Sequence, residues 1–199
     1  MKLSALILFV ERAQLQVKGS LLTADMTPKK RQTRERICQC AWALFIEQGF
    51  EATSTRDIAK AAGIANGTLF SHFSNKEELL KALMLELIAG VISEAQSSDD
   101  FEQPKLKMQH YARHLYGFYL QHVEFSKTLL QGLIWQGAFF DEQIRQFKEL
   151  LFTGAPHYDA VRATIMMDCY FMTLVEGLNA PSPDADTMVK RLSAKLALL

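Results

Sequence analysis

Residues that interrupt helices are scarce in this chain. Five prolines and ten glycines among 199 residues exclude long irregular connections, and no long run alternates apolar with polar residues as a half-buried strand would. Charge of one sign is missing as well: 22 Lys and Arg stand against 22 Asp and Glu, a balance that argues at first sight against a polyanionic partner. The three cysteines, Cys38, Cys40 and Cys169, are too few for a disulfide framework, and C-x-C alone is no zinc site. They read as small buried or half-buried thiols, in keeping with a reducing cytoplasm. Long hydrophobic runs are absent too. The run Leu3–Val10 falls far short of the roughly 20 residues that span a bilayer, so no membrane partner is expected. What remains is a chain that is 49% hydrophobic and rich in Ala, Leu, Met, Gln, Glu and Lys. An all-α protein follows.

The zero net charge hides a gradient. From Met26 to Lys81 there are nine Lys and Arg against six Asp and Glu, a net of +3. From Ala82 to Leu199 there are ten against fourteen, a net of −4. Much of the excess sits in "PKKRQTRER", Pro28–Arg36, so a basic opening on an acidic body points one end at a polyanion. Residues 1–25 stand apart. "MKLSALILFV" faintly mimics a signal peptide, but Glu11 and Arg12 interrupt it and no A-x-A site follows closely. Two readings compete for this extension: an added amphipathic helix, or translated leader upstream of a start at Met26. The second is favoured, because "MTPKKRQTRERI" reads as a complete opening for what comes next.

Ile37, Ala41, Leu44 and Phe45 recur at helical spacing and predict a helix from Thr27 or Pro28 to Gln48, with Gly49 as its stop. Ser54 followed by Asp57 reads as a capping-box variant opening a short second helix that Gly63 ends. A third short helix is expected from Ala65 or Asn66 to His72 or Phe73. Asn75 then caps a long fourth helix, with Leu79, Leu80, Leu83, Leu87 and Val91 as its buried stripe. "SSDD", Ser97–Asp100, breaks it. Helical patterns continue over roughly 104–121, 123–136, 141–152, 158–178 and 184–198.

Two short helices joined by a glycine turn make a helix-turn-helix pattern, in which the second helix enters the major groove. A helix in a groove must be slim, and Gly67 and Ser71 in "GIANGTLFSHFSNKEELL" keep it so. Asn66 offers the bidentate contact that amides make to adenine, and Thr68 a hydrogen bond to base or phosphate. Leu69 and Phe73 hold the helix on its neighbour, while His72 and Lys76 are placed to neutralise or hydrogen-bond phosphates. Taken alone, Phe70 reads as core rather than contact, and His72 as a surface histidine.

"ALFIEQGFEATSTRDIAKAAGIANGTLFSHFSNKEELL", within Arg34–Leu80, resembles without gaps the DNA-binding domain of TetR-family transcriptional regulators. The resemblance implies three regions: the extension 1–25, a three-helix DNA-binding head over 26–80, and a larger helical ligand-binding and dimerisation domain over 81–199. It implies a homodimer that releases a palindromic DNA operator when a small molecule binds, most often as a repressor. Carried over position by position, the DNA-facing residues are Thr55, Arg56, Asn66, Gly67, Thr68, Phe70, Ser71 and His72, with Lys76 just beyond. Two positions depart from the family pattern. Phe70 stands where tyrosine is usual, removing a hydroxyl whose bond to a charged phosphate is worth roughly 1.5–3 kcal/mol. Ala65 stands where a polar residue usually caps the recognition helix, a role that Asn66 could take.

Much of the aromatic content lies in 104–178. A bundle pocket lined by such residues suits an apolar or aromatic effector, with Tyr111, His114, Phe118, Trp135, Met167 and Phe171 as candidate lining. For dimerisation the last two helices offer Val161, Ile165, Met172 and Val175 on one, and Met188, Leu192, Leu196 and Leu199 on the other, enough for a four-helix bundle across a twofold axis. Asp168 and Glu176 could face a ligand, Arg162 or a partner chain. No catalytic constellation or phosphate loop stands out, so neither an enzyme nor a cofactor is expected. The alternative is a metal-binding or enzymatic module using His110, His114 and His122, whose spacing can hold zinc although no carboxylate or cysteine is paired with them.

Overall fold

The computed structural model describes residues 26–135 and 140–199, and the side chains of 133–135 are excluded from description. The expectations for residues 1–25 and for the Trp135 side chain therefore lie outside the described residues. Among these residues there are nine α-helices and no strand, the expected all-α class. None of these helices is long and apolar enough to cross a membrane. The chain divides into two compact units between Gly90 and Val91.

In the first unit, α1 (Pro28–Gln48) starts where the Thr27 side chain accepts from the Lys30 amide and Pro28 sets the first turn. Ile37, Cys38, Ala41, Trp42 and Phe45 form its buried stripe. Capping fixes α2 (Thr55–Ala61): Ser54 Oγ accepts from the Asp57 amide at 3.2 Å, and the Asp57 carboxylate accepts from the Ser54 amide at 3.1 Å. The Ser54 hydroxyl, donating to the carboxylate at 2.5 Å, and then the Ser54 amide hold the Asp57 carboxyl below its ordinary value. The turn that follows is a Schellman closure. The Ile64 amide donates to the Ala59 carbonyl at 3.0 Å around Gly63, whose φ of 62° few other residues adopt.

The third helix, α3 (Asn66–Phe70), is shorter than the sequence suggests. Its N-cap is Ala65, with no side-chain hydrogen bond, so Asn66 does not substitute as the cap. Beyond Phe70 the chain tightens into turns, with the His72 and Phe73 amides both donating to the Leu69 carbonyl. In α4 (Lys76–Gln96), Asn75 caps the Glu78 amide at 2.7 Å as expected, and Leu79, Leu80, Leu83, Leu87 and Val91 are buried.

The second unit is built around α5 (Pro104–Gln121), which contacts α6 (Val123–Trp135), α7 (Asp141–Leu151), α8 (Ala160–Leu178) and α9 (Ala185–Leu196). Met108, Tyr111, Leu115 and Tyr116 of α5 are wholly or almost wholly buried. Close approach of α9 to α8 depends on Gly177, whose missing Cβ leaves room for the Met188 side chain. This crossing corrects one expectation. Met188, Leu192 and Leu196 are 3%, 0% and 0% exposed within a single chain, so they are core and present no surface to a partner. On α8 the expected stripe is open instead: Val161, Ile165 and Met172 are exposed and Val175 is half-buried. Leu199 is exposed beyond α9.

Candidate nucleic-acid interface and aromatic body

The core of the first unit leaves one side of α3 uncovered. Leu69 is 0% and Phe73 1% exposed, so both anchor the helix. Gly67, Thr68, Phe70 and Ser71 are exposed, and Asn66 and His72 are half-buried. On α2, Arg56 is exposed and Thr55 half-buried, and α2 contacts both α1 and α3. Phe70, at 46% exposed, is surface and not the core residue that its apolar character suggests. The Ser71 hydroxyl turns back to donate to the Thr68 carbonyl at 2.7 Å.

Three polar side chains are disposed differently from the sequence reading. Asn66 Oδ1 is buried with no hydrogen-bond partner, so the amide does not present the outward fork needed for a bidentate contact with adenine. His72 Nδ1 is likewise buried and unpartnered. Burial first, and then the charges of Lys30 and Arg34, hold the His72 imidazole below its ordinary value. In the free chain this favours the neutral imidazole, which can still donate a hydrogen bond. Lys76 Nζ donates to the Phe50 carbonyl at 2.7 Å and lies 4.2 Å from the centre of the Phe50 ring, tying the start of α4 to the segment before α2.

Arg34 is a positioning residue of this site that lies outside the expected contact set. It is 8% exposed, its guanidinium carbon lies 4.1 Å from the centre of the Phe73 ring, and Nη1 donates to the His72 carbonyl at 3.3 Å. It thus fixes the chain just beyond α3 against α1. Its position was readable: 34, 37, 38, 41, 42 and 45 form one helical stripe, so Arg34 falls on the buried face despite belonging to a basic run.

In the second unit the candidate effector-lining residues do not all converge. Tyr111 is buried, meets Phe147 edge to face at 5.7 Å, and donates its hydroxyl to Asp99 at 2.7 Å. Asp99 is also paired with Lys107 at 2.8 Å, and both side chains are under a tenth exposed. Phe118 meets Tyr119 and His122, Phe171 meets Tyr170, and Met167 is buried. His114 contacts His110 at 5.1 Å. A residue outside that set stands out. Tyr170 is 2% exposed and stacks on Tyr116 at 5.1 Å, and its buried hydroxyl interacts with that of Tyr119. Burial pushes Tyr119 up to about 12 and Tyr170 well above the ordinary phenol value, so both remain neutral donors.

The histidine row does not form a metal centre. His110 Nε2 is 2.8 Å from the Ala95 carbonyl, His122 contacts Phe118 and Phe125, and no group of three potential ligands converges among the described residues. Glu176 resolves to a partner in its own chain: it pairs with Arg191 at 3.2 Å and Lys195 at 3.1 Å. Asp168 is exposed on α8.

The family match falls within the first unit. Residues 37–83 match the family described as bacterial regulatory proteins, tetR family. The chain is 43% identical over 61 residues to the HTH-type transcriptional repressor KstR2 of Rhodococcus jostii, which is 31% of this chain and 30% of that protein. It is 39% identical over 62 residues to the HTH-type transcriptional regulator UidR of Escherichia coli, 31% of this chain and 32% of that protein. The chain thus matches about a third of the length of these curated relatives. Among solved structures, Thermus thermophilus FadR, a TetR-family repressor crystallised with lauroyl-CoA, aligns with a TM-score of 0.64. The alignment is 24% identical and covers 83% of this chain and 92% of that one. A TetR transcriptional regulator from Rhodococcus sp. aligns with a TM-score of 0.63 at 20% identity, covering 85% and 98%. At these identities the structural likeness speaks to the fold.

Proposed function

We propose that this chain, whose residues 37–83 match the family model of bacterial regulatory proteins, tetR family, is a TetR-type ligand-responsive DNA-binding transcriptional repressor. It acts as a homodimer on a palindromic operator and is released by an apolar or aromatic small molecule. The observation that carries this reading is the disposition of α3. A short, slim helix is anchored by buried Leu69 and Phe73, and Arg34 braces the chain just beyond it. Its other side is open to a groove. Thr55, Arg56, Gly67, Thr68, Phe70 and Ser71 form the proposed contact surface. Asn66, His72 and Lys76 act at its edge, each needing a side-chain rearrangement or serving as a hydrogen-bond donor.

The body over 91–199 would hold the effector. In support, its core is rich in buried aromatic side chains, an arrangement suited to an apolar or aromatic molecule. Dimerisation is assigned to the open face of α8, through Val161, Ile165, Met172 and Val175, with Leu199 nearby in sequence to α9. The relatives named above are regulators rather than enzymes, and the chain is read as acting in the cytoplasm without catalysis.

Selection of bound sequences from random double-stranded DNA, at stated salt, tests the whole reading. Enrichment of an inverted repeat with half-sites about 34–36 Å apart or a multiple of that spacing is expected. Selection without an inverted-repeat preference would rule it out.

A further inference from the structure

We infer that Phe70 reads a thymine methyl group in each operator half-site, so that an apolar contact specifies a base where the usual tyrosine would offer a hydroxyl. The inference rests on the reading of α3 as the groove-facing helix, and it names a base and an atom within that site.

Among the described residues up to Gly90, Phe70 is the single large apolar side chain that is exposed. A lone exposed apolar residue is ordinary on a protein surface, so its setting must carry the argument. Gly67 and Ser71 lie three positions before Phe70 and one after it, and both are exposed and small. A Cβ built on Gly67 would meet nothing within 4 Å, and Gly67 has no positive φ. The fold itself therefore gives no packing or backbone reason for glycine there. The result is an aromatic ring standing beside open, low ground on a helix otherwise surfaced by small and polar groups.

That shape fits one kind of occupant. Phe70 can neither donate nor accept a conventional hydrogen bond, so it cannot read the polar base edges or bind phosphate as a tyrosine would. In the major groove of ordinary duplex DNA, the C5-methyl of thymine is the apolar feature among the base edges, and phenylalanine is one of the side chains suited to it. The patch is a single ring, too small to hold a second protein, and the hydroxyl beside it on Ser71 is already engaged with the Thr68 carbonyl.

The test uses the full chain and its selected operator. Thymines in the half-site are replaced one at a time by deoxyuridine, which removes the methyl and leaves every hydrogen-bonding group in place. One symmetry-related thymine should show a loss of about fourfold per half-site, the size expected from burying one methyl, while the others show none. In Phe70→Ala the thymine and deoxyuridine operators should bind alike, with helical content unchanged by circular dichroism. An operator bound equally with uracil at every position overturns the inference and leaves the DNA-binding reading intact. Failure to select any operator overturns both.

Discussion

Arg34 shows how a positive charge in a basic run can serve folding rather than binding. Its guanidinium is spent on the Phe73 face and the His72 carbonyl, and it is almost fully buried. Replacing it with methionine keeps much of the stem's packing but leaves the carbonyl unpaired and the ring uncovered. A loss of about 2–3 kcal/mol is expected in urea unfolding of the purified chain; a change under about 0.5 kcal/mol would contradict the role. Lysine should restore it only in part, because its ammonium lacks the planar guanidinium that stacks on the Phe73 ring. Lys76 repeats the pattern with Phe50. The charge gradient was legible in the sequence, and the stripe on α1 places Arg34 on the buried face, but its partner 38 positions away was revealed by no local pattern.

Among the elements, the starts and stops of the helices were the most legible. Ser54 with Asp57, Asn75 and Gly49 act within a turn of themselves, and the structure uses all three. The end of α3 was not legible, since an uncapped five-residue helix depends on the packing of Leu69 and Phe73 rather than on its own residues. Nor was the partner of the last helix. An apolar stripe looks the same in sequence whether it packs on its own chain or on another copy, and Met188, Leu192 and Leu196 prove to be internal. The two alternatives now separate experimentally. Leu192→Asp places a carboxylate at a fully buried site and should cost more than about 4 kcal/mol, enough to unfold a marginal domain. Met172→Asp, on the exposed face of α8, should keep full helicity while shifting sedimentation from dimer to monomer. A folded Leu192→Asp monomer, or an intact Met172→Asp dimer, would reverse the assignment.

At the scale of the molecule, acid should weaken the fold. His72, His114 and His122 are all held below the ordinary histidine value of 6.5, each chiefly by burial. Below pH 6.5 the unfolded chain takes up protons before the folded one does, so it binds more of them and stability falls with pH. This contribution is fully present above 6.5 and is lost as pH drops through the lowered folded values. Glu86 acts in the opposite sense. Burial raises it above 4.5, so its contribution is present below 4.5 and is lost as pH rises through its raised folded value. The urea midpoint should fall between pH 7 and pH 5, and His72→Gln should shrink that fall. An unchanged fall in the variant would show that His72 is not one of the groups responsible. The class of fold was readable from composition and periodicity alone. The engagement of His72 and Asn66 with their own surroundings was not, because burial of a single ring nitrogen or amide oxygen arises only when distant segments close over it.

A dimer sealed by the open face of α8 would also make gene dosage matter. Where monomers predominate, the paired species scales with the square of the chain's abundance, so halving the copy number removes about three-quarters of it. Val161, Ile165 and Met172, three exposed apolar side chains on one helix, would then make occupancy of the operator a steep function of how much of this chain is made, before any effector arrives.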